Sequence, residues 1–184
     1  MAHRVLVPLA EGFEEIEAVT VVDVLRRAGC EVVTAALTST LVRGAHGIEV
    51  RADTELAHVD GASFDTLVLP GGQPGTRHLA ADPRVLELVR KHHRQGRTVA
   101  AICAAPSVLA QAGILEGVRA TSHPSVRDQL AGAQIDGTSA VVTSGAVLTS
   151  QGAGTAMEFA LALVAKCVDA ATAERLAKAM VVRP

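Results

Sequence analysis

A cysteine in the middle of the chain stands where an apolar segment meets small residues and a proline. Cys103 directly follows the apolar run Thr98–Ile102, and Pro106, which favours the first turn of a helix, comes three positions later. A sharp strand-to-helix turn of this kind, a nucleophile elbow, requires small neighbours, and here they are Ala101 and Ala105. The start of the following helix favours the thiolate and lowers a cysteine pKa below its usual value of about 8.5. Cys103 is therefore a candidate nucleophile; the alternative is a small buried side chain that ends a core strand.

Two backbone N–H groups could hold the negative charge that a nucleophile creates on its substrate. Gly72 lies in a glycine-rich turn after another apolar run, where the missing side chain lets a ligand approach the backbone. Ala104 directly follows the candidate nucleophile, a position that donates an N–H in enzymes with this elbow. The pair predicts an oxyanion hole, although the glycines alone are also typical of an ordinary tight turn.

An acid–base partner for the thiol is predicted among the acidic residues that open the first helix. Glu17 shares a helical column with apolar residues (Val21, Val24 and Ala28), so we expect surroundings that raise its pKa. A protonated carboxyl there would donate a hydrogen bond to a thiolate. Spacing alone also admits Glu14, and the helix dipole favours acidic residues at any helix start.

His123 is the histidine whose position suits proton transfer. It lies between a short predicted strand and a predicted helix, so it also stands at the end of a strand. The alternative is a partly buried histidine with a satisfied hydrogen bond. His92 and His93 belong to a basic run and are expected on a solvated face. The segment 149–155 lacks the lysine of a phosphate-binding loop, and the sequence contains no recognisable metal-ligand cluster.

Composition limits the classes of function. The 184 residues are 49% hydrophobic and 20% charged, enough for one domain with a sizeable core. A formal net charge of -2 and the lack of Trp and Tyr argue against binding to nucleic acid or to an anionic membrane. The cysteines are too few and too widely spaced for a disulfide framework or a zinc cluster (Cys30, Cys103 and Cys167). With no recognisable signal peptide or membrane span, we expect a soluble cytoplasmic protein.

The elements that must position these residues alternate between apolar strands and amphipathic helices. Strands are predicted at 4–9, 31–37, 66–69, 98–102 and 118–121, with a hairpin over 140–149 that turns at 144–145; helices are predicted at 14–28, 83–95, 106–112, 155–168 and 171–180. Thr155 and Glu158 are expected to form a capping box, and 38–60 to form a small peripheral hairpin or an irregular excursion. This alternation predicts an open, mostly parallel α/β sheet covered by helices on both faces. Ligands then belong at the carboxyl ends of the strands, where Cys103, Gly72 and the turn after Leu9 would converge.

Five segments together resemble the DJ-1/PfpI (ThiJ/PfpI) superfamily. They are 12–17, 69–72, 101–106, 121–124 and 148–155, which follow the family order and cover nearly the whole chain. The chain looks closest to the DJ-1 branch, because the protease-like branch carries a histidine where this chain has Ala104.

The resemblance implies a fold and a set of roles. The fold would be a flavodoxin-like three-layer sandwich in a single domain over 1–184, assembled as a homodimer with the active site close to the interface. Cys103 would be the reactive, oxidisable nucleophile, Glu17 the protonated carboxyl that hydrogen-bonds it, and His123 the general acid/base. The N–H groups of Gly72 and Ala104 would form the anion pocket. No metal or other cofactor is expected.

Two departures from the animal relatives affect the expected pocket. His46 stands where they have an arginine, and the extra cysteines of their peripheral segment are missing. Arg26 or Arg27 could reach the pocket across a dimer, although a solvated helix end is the simpler role for both.

Three hypotheses about function follow. The first is a glutathione-independent glyoxalase or deglycase, in which Cys103 attacks methylglyoxal, a related dicarbonyl or its early protein adducts. The second is an oxidative-stress sensor or redox chaperone that works through oxidation of Cys103. The third, an amidase or peptidase, is less favoured because no acidic residue evidently orients His123 as in a catalytic triad.

Overall fold

A seven-stranded sheet forms the centre of the molecule in the computed structural model, which describes residues 2–183. The strand order is β10-β11-β7-β6-β1-β2-β5, and every neighbouring pair is parallel except β10 with β11. The strands are β1 (Arg4–Leu9), β2 (Glu31–Ala36), β3 (Leu41–Arg43), β4 (Glu49–Arg51), β5 (Thr54–Glu55), β6 (Thr66–Leu69), β7 (Thr98–Ile102), β8 (Arg119–Ala120), β9 (Gln134–Ile135), β10 (Val141–Ser144) and β11 (Val147–Ser150). The helices are α1 (Glu15–Arg27), α2 (Gly75–Ala81), α3 (Pro83–Arg94), α4 (Pro106–Gln111), α5 (Ala156–Cys167) and α6 (Ala170–Ala179).

Helices cover both faces of the sheet, because the central strands are apolar on both sides. Alternate residues of β1 point to opposite layers: Val5 and Val7 pack with α1, α5 and α6, whereas Leu6 packs with α2, α3 and α4. The fold is thus the flavodoxin-like α/β sandwich that the sequence predicted. Within residues 2–183, no helix is long and apolar enough to cross a bilayer.

The central strands end together at one edge of the sheet. Leu69 of β6 pairs with Ala101 of β7, and Ile102 pairs with Ser150 of β11. The segments that follow β1, β6, β7 and β11 therefore meet at this edge. The predicted convergence of Cys103 and the 71–72 turn is explained by this register.

Several local predictions are confirmed within one or two residues, and others are wrong. The 38–60 excursion contains the antiparallel pair β3 and β4, and β10 and β11 form the hairpin predicted over 140–149.

The predicted capping box is wrong: the Thr155 hydroxyl donates to the Gly152 carbonyl, 2.9 Å away, and makes no cap contact with α5. The predicted helix after His123 is a short 3-10 helix, Pro124–Gln129. Helix α2 was not predicted, because its two turns begin at a glycine and bury only one large apolar side chain, Leu79.

Candidate active site

Cys103 occupies a strained turn between β7 and α4. Its φ is 64°, in the left-handed region that residues with a side chain rarely adopt. Such a conformation costs on the order of 1–3 kcal/mol and persists only where surrounding contacts fix it. Two hydrogen bonds do so: the Cys103 N–H donates to the Ser150 carbonyl (3.0 Å), and the Cys103 carbonyl accepts from the His123 N–H (2.8 Å). The thiol is thereby presented at the carboxyl edge of the sheet.

Glu17 is completely buried on the inner face of α1. Its Oε2 accepts a 2.7 Å hydrogen bond from the Gly71 N–H. Its Oε1 is also buried and has no hydrogen-bond partner among the described residues. Burial raises the pKa of Glu17 to about 7, against the opposing effects of the Gly71 N–H and the Cys103 thiol. The structure thus places this carboxyl against the Cys103 thiol, with a pKa at which it exchanges a proton near neutral pH.

The pKa of the Cys103 thiol is raised, contrary to the lowering expected at a helix start. Burial raises it first, and the charge of Glu17 raises it further, to about 12. The N–H groups of Gly72 and Ala104 act in the opposite direction and lower it. Helix α4 has only six residues, and its start does not offset the burial of the thiol and the charge of Glu17. Sulfur and carboxyl therefore share one negative charge, and the thiolate is favoured only when the proton resides on Glu17.

The two glycines after β6 are required by close contacts. A Cβ on Gly71 would lie 2.6 Å from the Cys103 Cβ and 2.9 Å from the Ile102 carbonyl oxygen. Gly72 has a φ of 91° and faces the backbone of the turn after β1, where an added Cβ would lie 2.6 Å from the Gly12 carbonyl oxygen. Neither position has space for a side chain, unlike the positions of an ordinary tight turn. The two glycines therefore allow this turn to approach Cys103 and Glu17 closely.

His123 is joined to Cys103 through the backbone, and its imidazole contacts Ser125. Its Nδ1 lies 2.8 Å from the Ser125 hydroxyl and accepts from the Ser125 N–H at 3.3 Å, which leaves the proton of the neutral ring on Nε2. Among residues 2–183 the imidazole makes no hydrogen bond to Cys103 or Glu17. The exposed ring lies beside Gly152, at the open side of the site.

His46 is bound to the start of α1. Its Nδ1 lies 2.9 Å from a Glu15 oxygen and 3.4 Å from a Glu14 oxygen, and the hydrogen bond to Glu15 raises the His46 pKa. These three side chains have the spacing of metal ligands. The Glu15 oxygens, however, already accept from His46 and from the Ile48 N–H, so the cluster is satisfied as an ion pair.

The two arginines late in α1 have partners in their own chain. Arg26 pairs with Asp53 at 2.8 Å, and Arg27 pairs with Asp23 at 2.7 Å. About half of each arginine side chain is exposed to solvent, as expected for the end of a solvated helix.

Sequence reasoning missed two groups that build this site. Gly71 binds Glu17 through its N–H, and Ser150 fixes the elbow through its carbonyl. Gly71 was visible as the first glycine of the predicted turn, but only the register of the strands shows which N–H meets the carboxyl. The role of the Ser150 carbonyl could not be predicted, because every residue has a backbone carbonyl whatever its side chain.

Comparison with known proteins gives matches along nearly the whole chain. The family model described as DJ-1/PfpI matches residues 3–166. Protein dj-1beta of Drosophila melanogaster is 39% identical over 185 residues, covering 99% of this chain and 98% of that protein. A Pyrococcus abyssi protein named a deglycase is 35% identical over 133 residues, covering 72% of this chain and 80% of that protein. Protein DJ-1 homolog B of Arabidopsis thaliana is 38% identical over 98% of this chain, and the chain spans only 42% of that protein.

Solved structures agree with these matches. The crystal structure of Drosophila DJ-1beta superimposes with a TM-score of 0.96 at 38% identity, with both chains fully covered. The structure of oxidized Toxoplasma gondii DJ-1 gives a TM-score of 0.93 at 37% identity, with 98% of each chain covered. A match of this extent, on a chain whose cysteine elbow and buried glutamate meet at the same edge of the sheet, identifies the protein as a member of the DJ-1/PfpI family.

Proposed function

We propose that the protein is an enzyme that converts small α-oxoaldehydes such as methylglyoxal to 2-hydroxy acids, or removes them from early protein adducts, with Cys103 as the nucleophile. The observation that carries the proposal is the buried Glu17 carboxyl beside a cysteine held in a strained elbow. The name of the Pyrococcus relative, a deglycase, supports the same class of chemistry.

The first step is addition of the Cys103 sulfur to the aldehyde carbon. A carbon–sulfur bond forms, the thiol proton passes to Glu17, and the aldehyde oxygen takes the negative charge. The N–H groups of Gly72 and Ala104 are the donors proposed for that oxygen, and their lowering of the Cys103 pKa supports this role. Return of a proton to the oxygen gives a hemithioacetal.

The second step moves hydrogen within the bound substrate. A base removes the proton on the former aldehyde carbon, and a proton is delivered to the neighbouring carbonyl carbon, so that the hemithioacetal becomes a 2-hydroxyacyl thioester. Water then cleaves the thioester, releasing lactate and restoring the thiol. Glu17 and His123 are the groups proposed for these transfers, with His123 reaching the substrate from the open side of the site.

The direct test is lactate formation from methylglyoxal without glutathione. Native protein should form lactate, Cys103→Ser should form none, and Cys30→Ser should match the native rate. Cys30 is a suitable control because it is buried far along the chain from the elbow, and burial raises its pKa to about 11. Full turnover by Cys103→Ser would refute the proposal.

Oxidation of Cys103 as a redox signal is the second candidate. The Toxoplasma relative has been solved in an oxidized state. In this chain a cysteine sulfinate, formed from the thiolate by two equivalents of peroxide with release of two waters, would meet the Glu17 proton and the N–H groups of Gly72 and Ala104. Intact-mass and peptide analysis under graded peroxide should place oxidation on Cys103 before Cys30 and Cys167. Equal oxidation of all three would exclude this role.

Peptide or amide hydrolysis is less favoured by the geometry. The Nδ1 of His123 contacts Ser125 rather than a carboxylate among residues 2–183, so the acidic member of a triad is missing there. A panel of amide and peptide substrates should show no release that depends on Cys103.

We further propose that 1–184 is one cytoplasmic domain that works as a homodimer. Support for the dimer comes from an exposed apolar patch beside the Glu15–His46 contact, formed by Ile16, Val19 and Ile48. Exposed apolar side chains that cluster are typical of protein interfaces.

A further inference from the structure

A groove of about 510 Å³ opens beside the elbow and is not used by the chemistry described above. It lies between α2, α4 and the segment that follows the 3-10 helix after His123. Its lining mixes alanines with the polar side chains of Gln73, Thr76, Arg77, Ser107, Gln111 and Gln129.

The groove begins next to both proposed oxyanion donors. Gln73 directly follows Gly72, so their Cα atoms are about 3.8 Å apart across a trans peptide. Ser107 lies one helical turn beyond the elbow, and its hydroxyl donates to the Ala104 carbonyl at 2.7 Å. Cys103, Glu17 and His123 do not line the groove, so a substrate held by Gly72 and Ala104 would reach it only with the atoms remote from its aldehyde.

Arg77 gives the groove a single positive charge. It is exposed on α2, and within residues 2–183 it makes no ion pair or hydrogen bond, unlike Arg26, Arg27 and Arg84, which each bind a carboxylate. Among residues 2–183, no acidic side chain lines the groove. A guanidinium with this freedom is suited to bidentate binding of a carboxylate or phosphate.

The amide side chains on the walls add hydrogen-bonding capacity. Gln111 donates to the Ala80 carbonyl, which fixes its amide and leaves its oxygen free to accept a hydrogen bond. Gln73 and Gln129 make no side-chain hydrogen bond within the described residues. The buried hydroxyl of Thr76 also lacks a partner there. A hydroxylated, negatively charged ligand would satisfy the amides of Gln73, Gln111 and Gln129, whereas an apolar ligand would displace their water without replacing its hydrogen bonds.

We propose that this groove binds a carboxylate or phosphate at the far end of an oxoaldehyde substrate, with Arg77 as its charged contact. The inference rests on the proposed attack of Cys103 on an aldehyde and adds the substrate class. Methylglyoxal carries no group for Arg77, so it would be turned over without using the groove.

The test compares small oxoaldehydes that carry an anionic or a neutral remote group. They are 4,5-dioxopentanoate, its neutral methyl ester, and a 2-oxopropanal that carries a phosphate on its third carbon. Native protein should show a kcat/KM about tenfold higher for an anionic substrate than for the ester, a ratio equal to about 1.4 kcal/mol. The better of the two anions identifies whether carboxylate or phosphate is preferred.

Two variants locate the effect. Arg77→Gln should abolish the preference by lowering kcat/KM for the anionic substrates about tenfold, to the value for the neutral ester. Lys178→Gln removes one positive charge from exposed α6, in the opposite helix layer, and should retain the preference. Equal kcat/KM for anionic and neutral substrates in native protein, or a preference that survives in Arg77→Gln, would overturn the proposal.

A binding measurement tests the proposed anion site independently of the proposed enzymatic activity. Titration of inorganic phosphate and of succinate, followed by NMR shifts of Arg77 and its neighbours, should show saturation in native protein and none in Arg77→Gln. Such binding without turnover of any oxoaldehyde would refute the proposed function and retain an anion site. Turnover of the neutral ester without anion binding would retain the proposed function and refute the anion site.

Discussion

The shared charge of Cys103 and Glu17 is the central feature at the scale of residues. Burial raises the pKa of both groups, the charge of Glu17 raises the thiol pKa further, and Gly71, Gly72 and Ala104 supply three N–H groups around them. The pair therefore titrates as a unit, with its first proton lost near pH 7.

This coupling predicts a pH dependence. For native protein, kcat/KM should rise with pH through about 7, because loss of the first proton creates the form in which Glu17 accepts the thiol proton. Glu17→Gln removes that acceptor and should lower kcat/KM by about 100-fold and abolish the step near pH 7. Steady-state rates of methylglyoxal turnover between pH 5 and 9 measure both effects. Exposed Glu158, changed to Gln, should leave the profile unaltered, and an unaltered profile in Glu17→Gln would contradict the coupling.

The close approach at Gly71 predicts a second residue effect. Gly71→Ala should lose turnover and about 1–3 kcal/mol of unfolding free energy, because its Cβ would meet the Cys103 Cβ and the Ile102 carbonyl. Urea unfolding and the lactate assay measure the two losses. Gly154→Ala is the matched control, since an added Cβ there meets nothing within 4 Å. Equal behaviour of the two variants would show that the turn has more space than the structure gives it.

At the scale of elements, the strand ends position the site and the sequence predicts them well. β1, β6 and β7 were predicted with the bounds that the structure gives, because each is a short apolar run bounded by turn residues. Strand β7 leads into the elbow and β6 into the Gly71–Gly72 turn, so the approach of Cys103 to Gly72 followed from a parallel sheet. The resemblance to DJ-1/PfpI proteins, rather than periodicity, selected Glu17 over Glu14.

What the sequence could not supply depends on contacts distant in the chain. The thiol pKa was predicted in the wrong direction because the local helix start was visible, whereas the burial and the Glu17 charge come from the packing of α1 on the sheet. The Arg77 groove escaped notice because it is formed by α2, which has too little apolar periodicity to be predicted.

Helix α3 offers a test of an element. The Asp82 carboxylate accepts from the Arg84 N–H at 2.8 Å and caps the helix. Asp82→Ala should lower the unfolding free energy by about 1 kcal/mol, as measured by urea unfolding at pH 7. Exposed Asp128, changed to Ala, is the control and should have little effect.

The pH dependence of the same variant has a fixed sign. Hydrogen bonding and pairing with Arg84 lower the pKa of Asp82 below its usual 3.8, so its contribution is present above that pH and is lost as pH falls through the folded-state pKa. The difference between native protein and Asp82→Ala should therefore shrink in acid. A difference that grows below pH 3.8 would contradict this assignment.

At the scale of the whole molecule, the remaining question is assembly. The apolar patch of Ile16, Val19 and Ile48 lies beside the first turn of α1, the helix that carries Glu17. A second copy seated on this patch would cover the Glu15–His46 contact and approach the active site.

The proposed dimer predicts that Val19→Asp shifts the protein to monomer. A charge in the middle of a buried apolar contact costs more than the contact contributes. Light scattering after size exclusion should give a dimer mass for native protein and a monomer mass for the variant. Val181→Asp, at an exposed apolar residue remote from the patch in sequence, should remain dimeric. A native monomer would remove the dimer proposal and leave the chemistry at Cys103 unaffected.

The most direct measurement of the central claim is rapid-quench mass spectrometry of the protein during turnover of methylglyoxal. Addition of Cys103 to methylglyoxal predicts a transient adduct, one methylglyoxal mass heavier, on the peptide that contains Cys103. The adduct should form and decay at the rate of lactate production and should be absent in Cys103→Ser. Lactate production at the native rate without any adduct on Cys103 would contradict this claim.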